Sequence, residues 1–428
     1  MACLMNGMAV VILILLGFVR GQTQVERDDN IEPFSLLCRI YNVAKNPPIN
    51  YVDLQEPVQI VEEIDTLNKS LLKEQRHGEE EDSGNNSETQ LPHTTSREAA
   101  LLQLSLNQIT QRAHKVLDEI KKMNVNDNIE NTKAKFNQII FGENGNESDL
   151  CHATVNDLGN RSEACGKPGP DTRGGSAGKN LVVDFFCLCV QRQDGEGINQ
   201  VCGFYAGSGY KNGQLGWNDT GPWGSSTMWA SIKGGCGKHM QQHPKSTAEA
   251  RHILDQFLKH LNTGGVYRLG DTTRKDNAVE GSERKAGMLG TGVGKKDNSG
   301  KDILCDGKKG GKDQSPGGVC VYYGTESDSW ETNILWLKPF KTVLTNVDAV
   351  NNQTASIQSA IKKLQTLLHR AEEIYETAKV ITEINYPVVT TAVQNASANV
   401  TARNATRTRS YSYNRRRYFI QMVVVLLI

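Results

Sequence analysis

The stretch VLTNVDAVNNQTASIQSAIKKLQTLLHRAEEIYETA, Val343 to Ala378, decides the architecture. Alternating steps of four and three residues meet Val343, Val347, Val350, Thr354, Ile357, Ile361, Leu364, Leu368, Ala371, Tyr375 and Ala378, ten of the eleven apolar. Residues at that spacing share one stripe of a helix, and a stripe sustained this long is a coiled-coil seam. No Gly or Pro interrupts it. The helix spans ~54 Å at ~1.5 Å per residue. A seam of that length requires partners of similar length.

Two upstream stretches repeat the spacing. A helix beginning at Asp53 carries Ile60, Ile64, Leu67 and Leu71, with Val61 and Leu72 widening the stripe, and fades near His77. A second carries Leu102, Leu106, Ile109, Ala113, Val116, Ile120 and Met123 behind a capping-box pair, Thr95 and Glu98. Helical character continues toward Phe141, before Gly142. The polar segment from His77 to His93 reads as a loop, so these two helices are expected to lie antiparallel. Burying a Leu- or Ile-class side chain is worth ~1.5–3 kcal/mol. The returning seam is therefore expected to close on the first two, giving bundle helices over about 53–76, 96–141 and 340–386. A shorter helix from Phe34 to Tyr51 breaks at Pro47-Pro48.

Between the second and third seams the composition changes. Thirty-five of the 40 glycines fall between Gly142 and Gly324, and all five tryptophans fall between Cys151 and Trp336. Low periodicity with many glycines and cysteines predicts irregular, disulfide-stapled lobes over 142–335 with a few short strands. Leu181 to Val190 (LVVDFFCLCV) is the clearest strand expectation there. Ser246 to Leu261 is the clearest helix, opened by a Ser246/Glu249 capping box and ended by Gly264-Gly265. Lys295 to Gly318 reads as an exposed loop. The fold class is thus mainly α: an elongated antiparallel coiled-coil or helix bundle carrying stapled lobes.

Met8 to Val19 has the apolar run of a secretory signal, with cleavage expected near Gly21. The cysteines beyond it, Cys38, Cys151, Cys165, Cys187, Cys189, Cys202, Cys236, Cys305 and Cys320, then read as a disulfide framework with one left over. The spacing leaves the connectivity open. Nine N-x-S/T sequons, at Asn68, Asn85, Asn146, Asn160, Asn218, Asn352, Asn395, Asn399 and Asn404, are glycosylation candidates. Asn352 takes an f position, facing away from the seam. After Pro387 a Thr- and Asn-rich tether over 387–404 leads to a polar spacer, Arg407 to Arg417, ending in Arg415-Arg416-Arg417, and the apolar end Tyr418 to Ile428. Small residues, a spacer and an apolar tail form a GPI-attachment signal over 405–428, with Asn404 as the attachment candidate.

Little in the chain points to catalysis. The net charge is zero, which gives no footprint for nucleic acid. Gly287 to Lys296 (GMLGTGVGKK) lacks the spacing of a phosphate loop, and Gly174 to Asn180 (GGSAGKN) precedes its expected strand instead of following one. Cys236, His239 and His243 have zinc-like spacing, which Cys187 and Cys189 could complete, but disulfides account better for cysteines in a secreted chain. H-E-x-x-H does not occur. No catalytic, metal or cofactor-binding residues are expected.

Three blocks carry a family resemblance. They are Phe34 to Pro48 (FSLLCRIYNVAKNPP), Gly178 to Cys189 (GKNLVVDFFCLC), and Asn333 to Pro339 (NILWLKP) leading into the returning helix. In these the chain resembles a trypanosome variant surface glycoprotein, with a B-type N-terminal domain over 22–386. The resemblance implies a rod held on the outer leaflet of the plasma membrane by a GPI lipid. It implies a homodimer or homotrimer packed into a dense coat that meets host antibodies and varies antigenically. Unlike many members, the chain has no cysteine after Cys320. The rival reading on the same scaffold is a GPI-anchored receptor for a host nutrient, with a binding patch around Trp217, Trp223 and Trp229.

Overall fold

The computed structural model describes residues 23–80, 97–207, 215–239, 242–270, 279–295, 298–311, 316–326 and 329–385. The signal, the Thr95 cap, the tether and the apolar tail lie outside these. A large compact unit runs to Glu376; of the second unit, which starts at Thr377, the described part is the end of a helix.

Ten α-helices and eight strands are described. Helix α1 (Ile31–Lys45) buries Phe34, Leu37, Cys38 and Tyr41, and stops short of the Pro47-Pro48 break. Helix α2 (Gln55–Glu80) runs past His77, where the loop was expected to begin; the rest of that expected loop, 81–93, lies outside the described residues. Helix α3 (Arg97–Lys122) buries Leu106, Ile109, Ala113, Val116 and Ile120, five of the seam positions. Cross-helix contacts fix its direction. His114 Nε2 lies 2.9 Å from Asp65 Oδ1, and Asn68 Nδ2 donates to Asn107 Oδ1 at 2.9 Å. Numbers rise on α2 as they fall on α3, so the pair is antiparallel.

The second seam does not run on as one helix. Asn124 takes a left-handed conformation, φ +49°, and separates α3 from α4 (Val125–Phe141). Short polar side chains tolerate that conformation better than most. The returning helix, α10 (Leu337–Asn385), has 49 residues. From Val343 to Ala371 its seam positions are buried, with only Leu368 half-buried. Thr354, the polar member, is 1% exposed and donates its hydroxyl to the Asn351 carbonyl, so no open donor enters the core. Expected partners need one revision. The first part of α10 meets α4, through Phe136 against Phe340 (centroids 5.9 Å apart) and Asn128 Nδ2 donating to Gln353 Oε1. It also meets α8 (Thr247–Thr263), where Arg251 and Thr247 both engage Asp348. Farther along, Gln365 donates to Glu56 at the start of α2.

The stretch Leu181 to Val190 overturns its expectation. It forms a helix, α6 (Leu181–Cys189), with every residue buried. A continuous apolar run cannot by itself separate a core strand from a core helix. Here the preceding residue decides, because the Asn180 side chain caps the helix by accepting the Val183 amide hydrogen. Its Nδ2 donates to the Phe141 and Thr154 carbonyls, anchoring the cap. Ser246 Oγ caps α8 as expected by accepting from Glu249 N, whereas the Glu249 carboxylate accepts from Lys245 N, one residue before the cap.

Short pieces complete the lobes. Helix α5 (Arg161–Cys165) leads into the two-residue strands β1 (Gly166–Lys167) and β2 (Thr172–Arg173). A second ladder pairs β3 (Gly216–Trp217) with β4 (Pro222–Trp223) ahead of α7 (Ser225–His239). A four-stranded sheet, order β6-β5-β7-β8, is built from β5 (Gly265–Gly270), β6 (Val279–Lys285), β7 (Met288–Lys295) and β8 (Gly317–Tyr322). Strand β7 runs parallel to β5 and antiparallel to β8. The glycine-rich run GMLGTGVGKK is therefore largely an inner strand. Its glycines serve close packing: a Cβ on Gly290 would lie 2.5 Å from the Val319 carbonyl and 2.9 Å from Leu188 of α6. The expected exposed loop from Lys295 to Gly318 is partly core instead, since Ile303, Cys305 and Asp306 are buried. Helix α9 (Trp330–Asn333) then turns the chain into α10.

Candidate functional surface and the stapled lobe

Among the described residues four disulfides close, and their partners follow from the helices. Residues two apart on a helix point roughly 200° apart, at 3.6 residues per turn. Cys187 and Cys189 of α6 accordingly reach opposite ways, to Cys165 on α5 and to Cys202. A strand would have aimed both at one face. Cys38 of α1 joins Cys236 of α7 across 198 residues, and Cys305 joins Cys320 of β8. Cys151 is free and exposed.

Two buried charges hold this lobe, and sequence reasoning picked out neither. Arg161 is 0% exposed. Its guanidinium donates to the carbonyls of Val190 (2.7 Å) and Cys187 (3.0 Å), and lies 5.7 Å from the Trp217 ring. Burial pulls it down to about 9, so it stays protonated at neutral pH. It thereby gathers the C-terminal carbonyls of α6, which have no partner inside their own helix. Asp184, on the fourth residue of α6, accepts from Gly178 N and Trp336 Nε1, each at 2.8 Å. Burial pushes it up to about 7, against the pull of those donors. A lone acid inside LVVDFFCLCV was the one sequence signal of this contact between α6 and the entry to α10. For Arg161 the sequence carries no such signal.

The surface sorts the sequons. Asn146 and Asn352 are exposed, and Asn352 lies off the seam as its heptad position requires. Asn160 and Asn218 are half-buried and use their side chains locally. Asn160 Oδ1 caps α5 by accepting from Ser162 N; Asn218 Oδ1 accepts from Thr220 N. Asn68 sits between α2 and α3, donating to Asn107 and accepting from Gln103 Nε2 at 2.7 Å. Asn85, Asn395, Asn399 and Asn404 lie outside the described residues.

The tryptophans do not make a patch. Trp217 and Trp229 are 0% and 1% exposed, whereas Trp223 is 67% exposed. Trp229 belongs to an aromatic core with Tyr41, Phe141 and Phe185. Cys236 is consumed by its disulfide, and among the described residues no group of three or more His, Cys, Asp or Glu is placed to hold a metal ion. No helix among the described residues is long and apolar enough to cross a membrane.

A mainly helical scaffold, a stapled lobe and a long returning helix agree with the family comparison. Residues 73–366 match the trypanosomal VSG domain. The chain belongs to that family. The match covers α3 through most of α10, and with them the lobe and its sheet. Members are structural surface coat proteins, not a family of enzymes. That places this chain among cell-surface coat glycoproteins, in keeping with self-association. A search of curated proteins finds no match.

Proposed function

We propose that this chain is a GPI-anchored coat glycoprotein that shields the plasma membrane sterically and supports immune evasion by antigenic variation. The observation that carries the reading is the family match over 73–366, joined to the signal at one end of the sequence and the small-residue site, spacer and apolar tail at the other. On this reading no bond is made or broken. The work is done by occupied volume, by copies standing side by side, and by glycans on exposed asparagines such as Asn146 and Asn352. Asn404 receives the lipid and 405–428 is removed. The buried Arg161 and Asp184 keep the lobe rigid while exposed loop residues vary.

The anchor is tested on cells expressing the full chain. Phosphatidylinositol-specific phospholipase C should release the protein, and peptide mapping should end it at Asn404. Deleting Tyr418 to Ile428 should send it to the medium. Undiminished surface retention of that deletion would overturn the anchored reading.

A further inference from the structure

We infer that Cys151 is a thiolation site for a small amino-acid disulfide of the cystine type. Every other cysteine of the described residues is closed in a disulfide, and Cys151 alone is free and exposed. It lines a cleft of about 490 Å³ with Asp157, Thr220, Pro222 and Ser225. Two features of this cleft await a ligand. Ser225 is 1% exposed, yet its hydroxyl has no hydrogen-bond partner. Ser225 also opens the 15-residue helix α7, whose first turn contains no acidic residue. The amides of Ser225, Ser226 and Thr227 meet no acceptor among the described residues, the first partnered one being Met228 N on the Gly224 carbonyl. Free amides and a buried hydroxyl at a helix N-terminus suit a carboxylate. The Asp157 side chain on the same cleft is exposed, has no partner among the described residues, and suits an ammonium. A carboxylate, an ammonium and a sulfur within one small molecule describe a cysteine-type half-disulfide.

The chemistry balances as thiol–disulfide exchange. The Cys151 thiolate attacks one sulfur of cystine. The S–S bond of cystine breaks as the Cys151–cysteine bond forms. The second cysteine leaves as thiolate and takes up the proton that Cys151 gave up. Cys151 is oxidised and cystine is reduced.

The test uses the folded full chain with two probes, cystine and cystamine, which differ only by the carboxylates. Adducts at Cys151 are timed by peptide mass mapping. Each rate is divided by that of the same thiol in the chain unfolded in guanidinium, which removes differences in intrinsic reactivity. Cystine should then lead cystamine about fivefold, the scale of a carboxylate at a helix N-terminus. S225A should bring the ratio toward one while leaving the cystamine rate unchanged, and C151S should abolish the adduct. A ratio near one in the unaltered chain, no adduct at Cys151, or a covalent dimer linked through Cys151 would each overturn the proposal.

Discussion

The α2–α3 pair and α10 make one kind of structure, and the lobe between Gly142 and Gly324 makes another. The three helices carry no cysteine and obtain their order from repeated spacing. Each stripe residue does the same job as the next, so stability is spread along the seam. The lobe has no repeat. It is held by individual links: disulfides, the Arg161 cluster of carbonyls and the Asp184 contact to Trp336. A distributed seam weakens by degrees, whereas a linked lobe fails where a link is cut.

The largest effect should come from cutting the longest link. Replacing Cys38 and Cys236 together by Ser opens a 198-residue separation and should cost about 5 kcal/mol by chain entropy. The same change at Cys189 and Cys202, 13 residues apart, should cost about 3 kcal/mol. Guanidinium unfolding of both pairs checks the order; equal costs would contradict the chain-entropy account of the lobe.

Asp184 supplies a pH test confined to the lobe. Its folded value, about 7, stands above the ~3.9 of an unfolded chain, so the fold prefers the protonated acid. The resulting stability is fully present below pH ~4 and is lost as pH rises through 7, up to ~4 kcal/mol. Urea midpoints measured from pH 5 to pH 8 should fall for the native chain. D184N should flatten that slope and cost ~1–3 kcal/mol at pH 5, because an amide cannot accept at both positions now facing donors. A slope unchanged in D184N would assign the titration to another group.

On the helical side, Leu364→Ala removes a fully buried seam residue and should cost about 3 kcal/mol. The loss should be the same with and without reductant, unlike any lobe variant. Smallest should be Asn107→Ala, which takes one partner from the Asn68 layer, at about 1 kcal/mol. Thermal denaturation by circular dichroism reads both.

Legibility followed the same division. Val343 to Ala371 and the α2–α3 stripes were readable because helical spacing is a local property that burial preserves. The α8 cap was readable because Ser246 and Glu249 lie within one turn, Ser246 Oγ accepting from Glu249 N. The Asn180 cap was present in the sequence too, but a run apolar except for Asp184 masked it, and α6 read as a strand. Arg161 was illegible since its acceptors lie 25 to 56 residues away.

By itself, the sequence determined that a long seam exists, that two upstream helices share its period, that the nine cysteines from Cys38 to Cys320 are odd in number, and which three blocks resemble the family. Tertiary structure decided that α4 and α8 meet the first part of α10. It chose Cys151 as the unpaired thiol. It also separated Trp223 on the surface from Trp217 and Trp229 in the core. The physical reason is range. Periodicity and capping act within a few residues, whereas disulfide partners, buried charges and exposure depend on which distant segments the collapsed chain brings into contact.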